Sequence, residues 1–427
     1  MSRIIRELHP RHEGAFLVAQ SVYSHTWPNG LTLLAERMEH VRSAAINFLL
    51  PAGCAFDPPN QSGLATVLSE MITRGAGDRD SRALSLALDD LGLDRDEAAG
   101  MFNMRLFGST LARNIPTAME LYADIIRRAH LPEDELEPIQ MLALQDLQAL
   151  EDSPQQKVMV ELRSKYYPHP LNLDRRGTPE GIRNLTIDAI RSQYEKLFSS
   201  RGTIISVAGN IEWEPLRKQV DRLFGDWAPG MEPNRKFGPN NQCIEHITKD
   251  TNQTQIAMAW KSAPIGDADY YAARGAANVL SGGMSARLFT EVREKRGLCY
   301  SIQAFHETFR DRASMLVYAG TRTERAQETL DVTLAELRKL PQGIDPDEIA
   351  RVQAGLKSAL IMQDESTSAR AGALASDWYY LGRVRTLDEI QASIDALTPK
   401  SILEHLERYP ARDFTVVTLG KSPLNVV

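Results

Sequence analysis

The chain has 427 residues, 43% of them hydrophobic and 25% charged, as in ordinary globular proteins of two or three domains. A net charge of −7, with an isoelectric point near 5.8, removes any bulk electrostatic case for binding nucleic acid or an anionic membrane. The three cysteines, Cys54, Cys243 and Cys299, are odd in number and far apart, so they make neither a disulfide framework nor a paired metal knuckle.

Taken in order, Met1 to Pro10 carries no apolar core and no small-residue cleavage site. No apolar run nears the roughly 18 residues of a membrane span. The expectation is a cytoplasmic protein. Strand-like runs over Gly14–Gln20 and Leu31–Glu36 flank the turn Pro28-Asn29-Gly30. Ser43–Leu50 reads as a buried strand stopped by Pro51. Gly63–Gly75 reads as an apolar-faced helix opened and closed by glycine, and Ser81–Leu91 as a second helix with Ser81 as N-cap. Gly100–Thr110 is strand-like, and helical periodicity covers 113–129 and 133–151. Glu151-Asp-Ser-Pro154 interrupts it. A further helix over 187–198 and a closing strand, Thr203–Gly209, follow. Strands, then helices, then a returning strand define an α+β pattern.

The pattern then repeats. Gly275–Leu280 echoes Gly63–Leu68, and Leu397–Ile402 echoes Leu185–Ile190, both at an offset of 212 residues. Phe414–Gly420 echoes Thr203–Gly209 one residue out of step. The chain therefore reads as two tandem homologous α+β domains, 1–226 and 246–427, each a mainly antiparallel sheet covered by helices. Residues 227–245, rich in Pro, Gly and Asn, read as the linker.

Pro28-Asn-Gly-Leu31, Gly63–Gly75, Glu151-Asp-Ser-Pro154 and the long run Ser281-Gly-Gly-Met-Ser-Ala-Arg-Leu-Phe-Thr-Glu-Val-Arg-Glu-Lys-Arg-Gly-Leu-Cys-Tyr-Ser301 carry a resemblance. In these the chain resembles the M16 zinc metallopeptidases, the pitrilysin and mitochondrial-processing-peptidase group, over nearly its whole length. The smaller bacterial members are most similar, and several of those work as pairs of unlike subunits. The resemblance implies an inverted His-x-x-Glu-His motif on the first helix. Positions i and i+4 share one helix face, so two imidazoles converge on Zn²⁺ while the glutamate between them takes a proton from bound water. Here the histidine positions are Thr66 and Glu70, the general-base position is Ser69, and the later carboxylate falls near Asp146. No imidazole survives, and a hydroxyl with two carboxylates is not a catalytic zinc set. The expectation is no metal cofactor in this chain.

The same resemblance implies an arginine and a tyrosine, seven residues apart in the second domain, at the reaction centre. Arg293 and Tyr300 have that spacing. Helical pattern over Leu288–Arg296, a stop at Gly297 and a strand from Cys299 would hold them near each other. A phenol or guanidinium suits the oxyanion of peptide scission. Gly282-Gly283 lacks the spacing of a phosphate loop and reads as a turn between helices, and Ala375–Gly382, though rich in aromatics, reads as core. The expected function is the zinc-lacking subunit of a heterodimeric peptidase. It would bind extended peptide and complete, with Arg293 and Tyr300, the site of a homologous partner that carries Zn²⁺ on an intact motif. The alternatives are a catalytically dead scaffold or peptide-binding protein, and an accessory subunit for peptide maturation in cofactor biosynthesis.

Overall fold

The computed structural model describes residues 3–4, 20–230 and 237–426. The expected strand Gly14–Gln20 lies outside them except for Gln20, and so does the middle of the expected linker. The described strands form two sheets. The first contains β1 (Arg3–Ile4), β2 (Ser21–Thr26), β3 (Thr32–Arg37), β4 (Ser43–Leu50), β5 (Asp94–Ala99), β6 (Met104–Leu111) and β7 (Ile204–Gly209), in the order β1-β2-β3-β7-β4-β6-β5. The second contains β8 (Ile244–Thr248), β9 (Gln253–Ser262), β10 (Cys299–Thr308), β11 (Ala313–Arg322) and β12 (Thr415–Gly420), in the order β10-β11-β9-β12-β8.

The five-strand order β3-β7-β4-β6-β5 is that of β8-β12-β9-β11-β10. In each sheet one pair is parallel, β3 with β7 and β8 with β12, and the other shared neighbours are antiparallel. Even the register is kept: Arg37 pairs with Gly209 as Thr248 pairs with Gly420. This is the duplication that the sequence echoes announce. β7 and β12 are buried at every position, as their runs of Ile, Val and Leu require of central strands. β5, with the sequence Asp-Arg-Asp-Glu-Ala-Ala, is an edge strand. Its charge protects an edge but erases the apolar alternation, so the hairpin β5–β6 differs from the one strand expected over Gly100–Thr110. The helix Ser81–Asp90 is capped by Asp80, which accepts from the Ala83 N–H, rather than by Ser81; an aspartate one residue earlier meets the same orphan amide.

The chain folds into two compact units: residues 1–149, 173–236 and 362–387 in one, and 150–172, 237–361 and 388–427 in the other. Each sheet thus carries a helix drawn from the other half of the chain. In the first unit, helix Thr367–Leu381 packs on β3, β4 and β7. Its Ala371, Leu374 and Ala375 meet Leu34, Met38, Ala45, Ile204 and Ala208, with Trp378 and Tyr379 beside them, so the aromatic segment is core as expected. Arg370 of this helix donates from Nε and Nη2 to Glu36 Oε2 on β3, at 2.9 and 2.8 Å, with both side chains at most 3% exposed. Gln20 Nε2 donates to the other Glu36 oxygen at 2.8 Å. In the second unit, helix Pro154–Tyr166 packs on β9 and β12. Arg163 and the buried Tyr167 both reach Glu307 of β10, at 2.9 Å each.

Candidate functional site

The helix expected over Gly63–Gly75 is Leu64–Met71, opened at Gly63, whose φ of +106° suits glycine. Leu64, Ala65, Val67, Leu68 and Met71 are buried. The Asp57 carboxylate caps the helix from outside, accepting from the Gly63 N–H at 2.8 Å and the Ala65 N–H at 3.0 Å. Burial pushes its carboxyl up to about 7 against the pull of these amides. Asp57→Ala removes acceptors from two amides, so it lowers stability by about 1–2 kcal/mol, read as a shift in chemical denaturation midpoint.

The polar face of this helix is committed to its own backbone surroundings. Thr66 Oγ1 donates to the Arg175 carbonyl, which belongs to a loop packed so closely that a Cβ on Gly177 would meet Gly63 Cα at 2.4 Å. Ser69, 3% exposed, donates to the Thr66 carbonyl at 2.7 Å. Glu70 is half exposed, with Arg74 4.0 Å away. Glu97 on the adjacent β5 pairs with Arg95, and its carboxyl is raised by burial first, with Glu70 a minor contributor. Asp146 lies exposed on the helix Leu136–Glu151, and no hydrogen bond or ion pair joins it to Thr66, Ser69 or Glu70 among the described residues. A threonine hydroxyl already donating to a carbonyl, a buried serine and one solvated carboxylate do not fit catalytic zinc.

Arg293 and Tyr300 stand on irregular backbone. The segment expected as α-helical around Arg293 is instead a π-helical turn, Phe289–Glu294, in which the Lys295 N–H reaches the Thr290 carbonyl at 2.9 Å. Buried Leu288, Val292 and Leu298 anchor this wider turn. It ends at Gly297, φ +58°, the left-handed stop that the sequence calls for. Glu291 takes both Lys295 and Arg296, which hold its carboxyl below the usual range. Arg293 has no carboxylate partner among the described residues; its guanidinium lies 4.8 Å from the Phe289 ring centroid.

β10 follows, and its pairing with β11 slips between Cys299 and Ser301. Tyr300 is therefore the extra residue of a β-bulge on an edge strand, and it is 54% exposed. Its Oη accepts from Arg322 Nε at 2.7 Å, and the Arg322 guanidinium lies 5.7 Å from its ring centroid. Because the arginine can only donate, the phenol keeps its own proton for another acceptor. Burial pushes the neighbouring Cys299 thiol up to about 11, against a weaker opposite pull from Arg293. Sequence reasoning misses Arg322, which the Cys299–Thr321 pairing brings opposite Tyr300; the hairpin 299–322 is the signal that would have found it.

The N-terminal part of the chain, residues 32–178, matches the family Insulinase (Peptidase family M16), and residues 184–356 match Peptidase M16 inactive domain. The chain belongs to the M16 peptidase family. It is 26% identical over 405 residues to the uncharacterized zinc protease YmxG of Bacillus subtilis, covering 93% of this chain and 98% of that one. It is 24% identical over 401 residues to an uncharacterized zinc protease of Rickettsia bellii, covering 93% and 97%. In fold it is similar to the crystal structure of a peptidase M16 inactive domain from Pseudomonas fluorescens, with a TM-score of 0.86 at 20% identity over 95% of this chain and all of that one. A protease structure from Helicobacter pylori gives 0.84 at 19% identity, covering 94% and 99%. No helix of the described residues is long and apolar enough to cross a membrane.

Proposed function

We propose that this chain is the zinc-lacking subunit of a two-chain M16-type peptidase, binding extended peptide and supplying Arg293 and Tyr300 to the site of a zinc-bearing homologous partner. The observation that carries the reading is the contrast between the two regions. Thr66 and Ser69 are bound into their own backbone, whereas Arg293 and Tyr300 are exposed, held on a π-turn and a bulge, with a cation and a phenolic proton uncommitted to any carboxylate or carbonyl. Irregular backbone of this kind concentrates where a side chain is aimed at something outside its own element. Tyr300 would donate to the oxyanion of the tetrahedral intermediate, and Arg293 would bind a peptide carbonyl or share that charge. Extended peptide would add as a strand to a sheet edge, where backbone groups stand unpaired.

Purified alone, the chain shows no chelator-sensitive hydrolysis of an unstructured peptide; such hydrolysis, abolished by a metal chelator, would overturn the reading. The non-catalytic alternative, a peptide-binding scaffold, is favoured by the contacts that Arg322 and Phe289 make with the same two residues. It predicts that Tyr300 is dispensable for turnover.

A further inference from the structure

Away from Arg293 and Tyr300, the second unit contains a cavity of about 630 Å³ at the end of its sheet where β9 finishes and β11 begins. That volume lies within the roughly 300–1,000 Å³ of small-molecule sites. Most of its charged lining is already neutralised. Arg312 is bound by Asp311, the Gly238 carbonyl and Asn240 Oδ1, and Arg408 is paired with Asp269. Asp267 accepts from the Asp269 N–H and the Tyr409 hydroxyl.

Arg412 meets Asp413 at 3.6 Å. Among the described residues the lining groups left over are Lys261, Ser262 and the Tyr166 hydroxyl, which is buried without a hydrogen-bond partner. Lys261, exposed at the end of β9, has no carboxylate partner among the described residues, and its Nζ stands 5.7 Å from the Tyr409 ring centroid. Ser262, 2% exposed, has an Oγ with no hydrogen-bond partner. A buried hydroxyl without a partner carries a desolvation cost that a ligand could relieve. Lys261 and Ser262 are consecutive in a strand, so they point to opposite sides and would touch different parts of a ligand.

We propose that this cavity binds the carboxylate end of a short peptide, with Lys261 holding the α-carboxylate and Ser262 bonding a more distant amide or carbonyl. One uncommitted ammonium suits a monoanion. A dianion such as phosphate needs more free positive charge than one ammonium supplies, since Asp311 and Asp413 already hold Arg312 and Arg412. Asp267, which has no ion pair among the described residues, favours the ammonium end of a zwitterion, and the Tyr409 ring offers apolar contact to a side chain. The site lies where β9 ends beside the start of β11, at the other end of the β10–β11 pairing from Tyr300.

The test uses the whole chain alone, titrated with alanylphenylalanine, with its C-terminal amide and with inorganic phosphate, and followed by ligand-observed NMR. The free-carboxylate dipeptide binds, the amide binds at least about tenfold more weakly, and phosphate does not compete. Lys261→Met weakens dipeptide binding at least about tenfold, and Ser262→Ala weakens it less. Equal binding of acid and amide, an unchanged affinity in Lys261→Met with the thermal midpoint preserved, or binding of phosphate instead of the dipeptide each overturns the proposal. None of these outcomes bears on turnover by the reconstituted pair, so the two readings fail separately.

Discussion

Tyr300→Phe lowers kcat of the reconstituted pair by about 100-fold or more while leaving the fold and the association of the chain unchanged. Removing one oxyanion donor from a preorganised site typically costs 10²–10³ in kcat, about 2.7–4 kcal/mol. The substitution deletes one oxygen from a half-exposed ring, so the core loses nothing. The loss falls on kcat because the oxyanion exists only beyond the ground state, whereas a lost binding contact would raise KM with kcat intact. Arg322→Met falls between wild type and Tyr300→Phe, since the phenol keeps its proton but loses the donor that fixes it at 2.7 Å. In the Tyr300→Phe background Arg322→Met adds little, because the group it orients is gone. Steady-state kinetics with a zinc-bearing homologue as the partner measure all three. Unchanged kcat in Tyr300→Phe rejects the completed-site reading and leaves a scaffold.

Arg370→Ala destabilises the first unit by about 3–5 kcal/mol, the cost of leaving a buried charge without its partner. Glu36 sits on β3 beneath the helix Thr367–Leu381 at 3% side-chain exposure, and Arg370 supplies two of the three side-chain hydrogen bonds it accepts among the described residues. With the guanidinium gone, Gln20 is the side-chain donor left among the described residues to this buried carboxylate. Glu36→Gln costs a similar amount, because it leaves the buried Arg370 guanidinium without its counter-charge. The double change Glu36→Leu with Arg370→Met recovers most of the loss, since buried ion pairs replaced by apolar groups of similar size are often neutral. Urea denaturation of the full chain gives the three values, and a loss below about 1 kcal/mol for Arg370→Ala would show that the pair does not hold this helix.

Pattern that is local in the chain was legible before the structure. The buried strand Ser43–Leu50, the helix 187–198 and the interruption at Pro154 follow from apolar runs, caps and proline, and the observed elements match them within about two residues. The duplication was legible in the sequence echoes and the shared strand order bears it out, although Gly63 opens the helix Leu64–Met71 whereas Gly275 lies inside Tyr270–Ser281. That Thr66 and Ser69 offer neither an imidazole nor a carboxylate was legible from side-chain chemistry alone. β5 was not legible: its charge hides the strand period, and only pairing with β6 defines it.

By itself the sequence determined the duplicated α+β architecture and the family. It could do so because periodicity, turn residues and ligand type are written within a few positions of one another. Only the tertiary structure decided what requires two distant segments. It laid Thr367–Leu381 on the first sheet and Pro154–Tyr166 on the second, set the Arg175 carbonyl against Thr66, and widened the turn under Arg293. It also bulged β10 at Tyr300 and brought Arg322 to its phenol. Each of these depends on strand register or helix packing across tens to hundreds of residues, where one residue of slip exchanges a buried side chain for an exposed one.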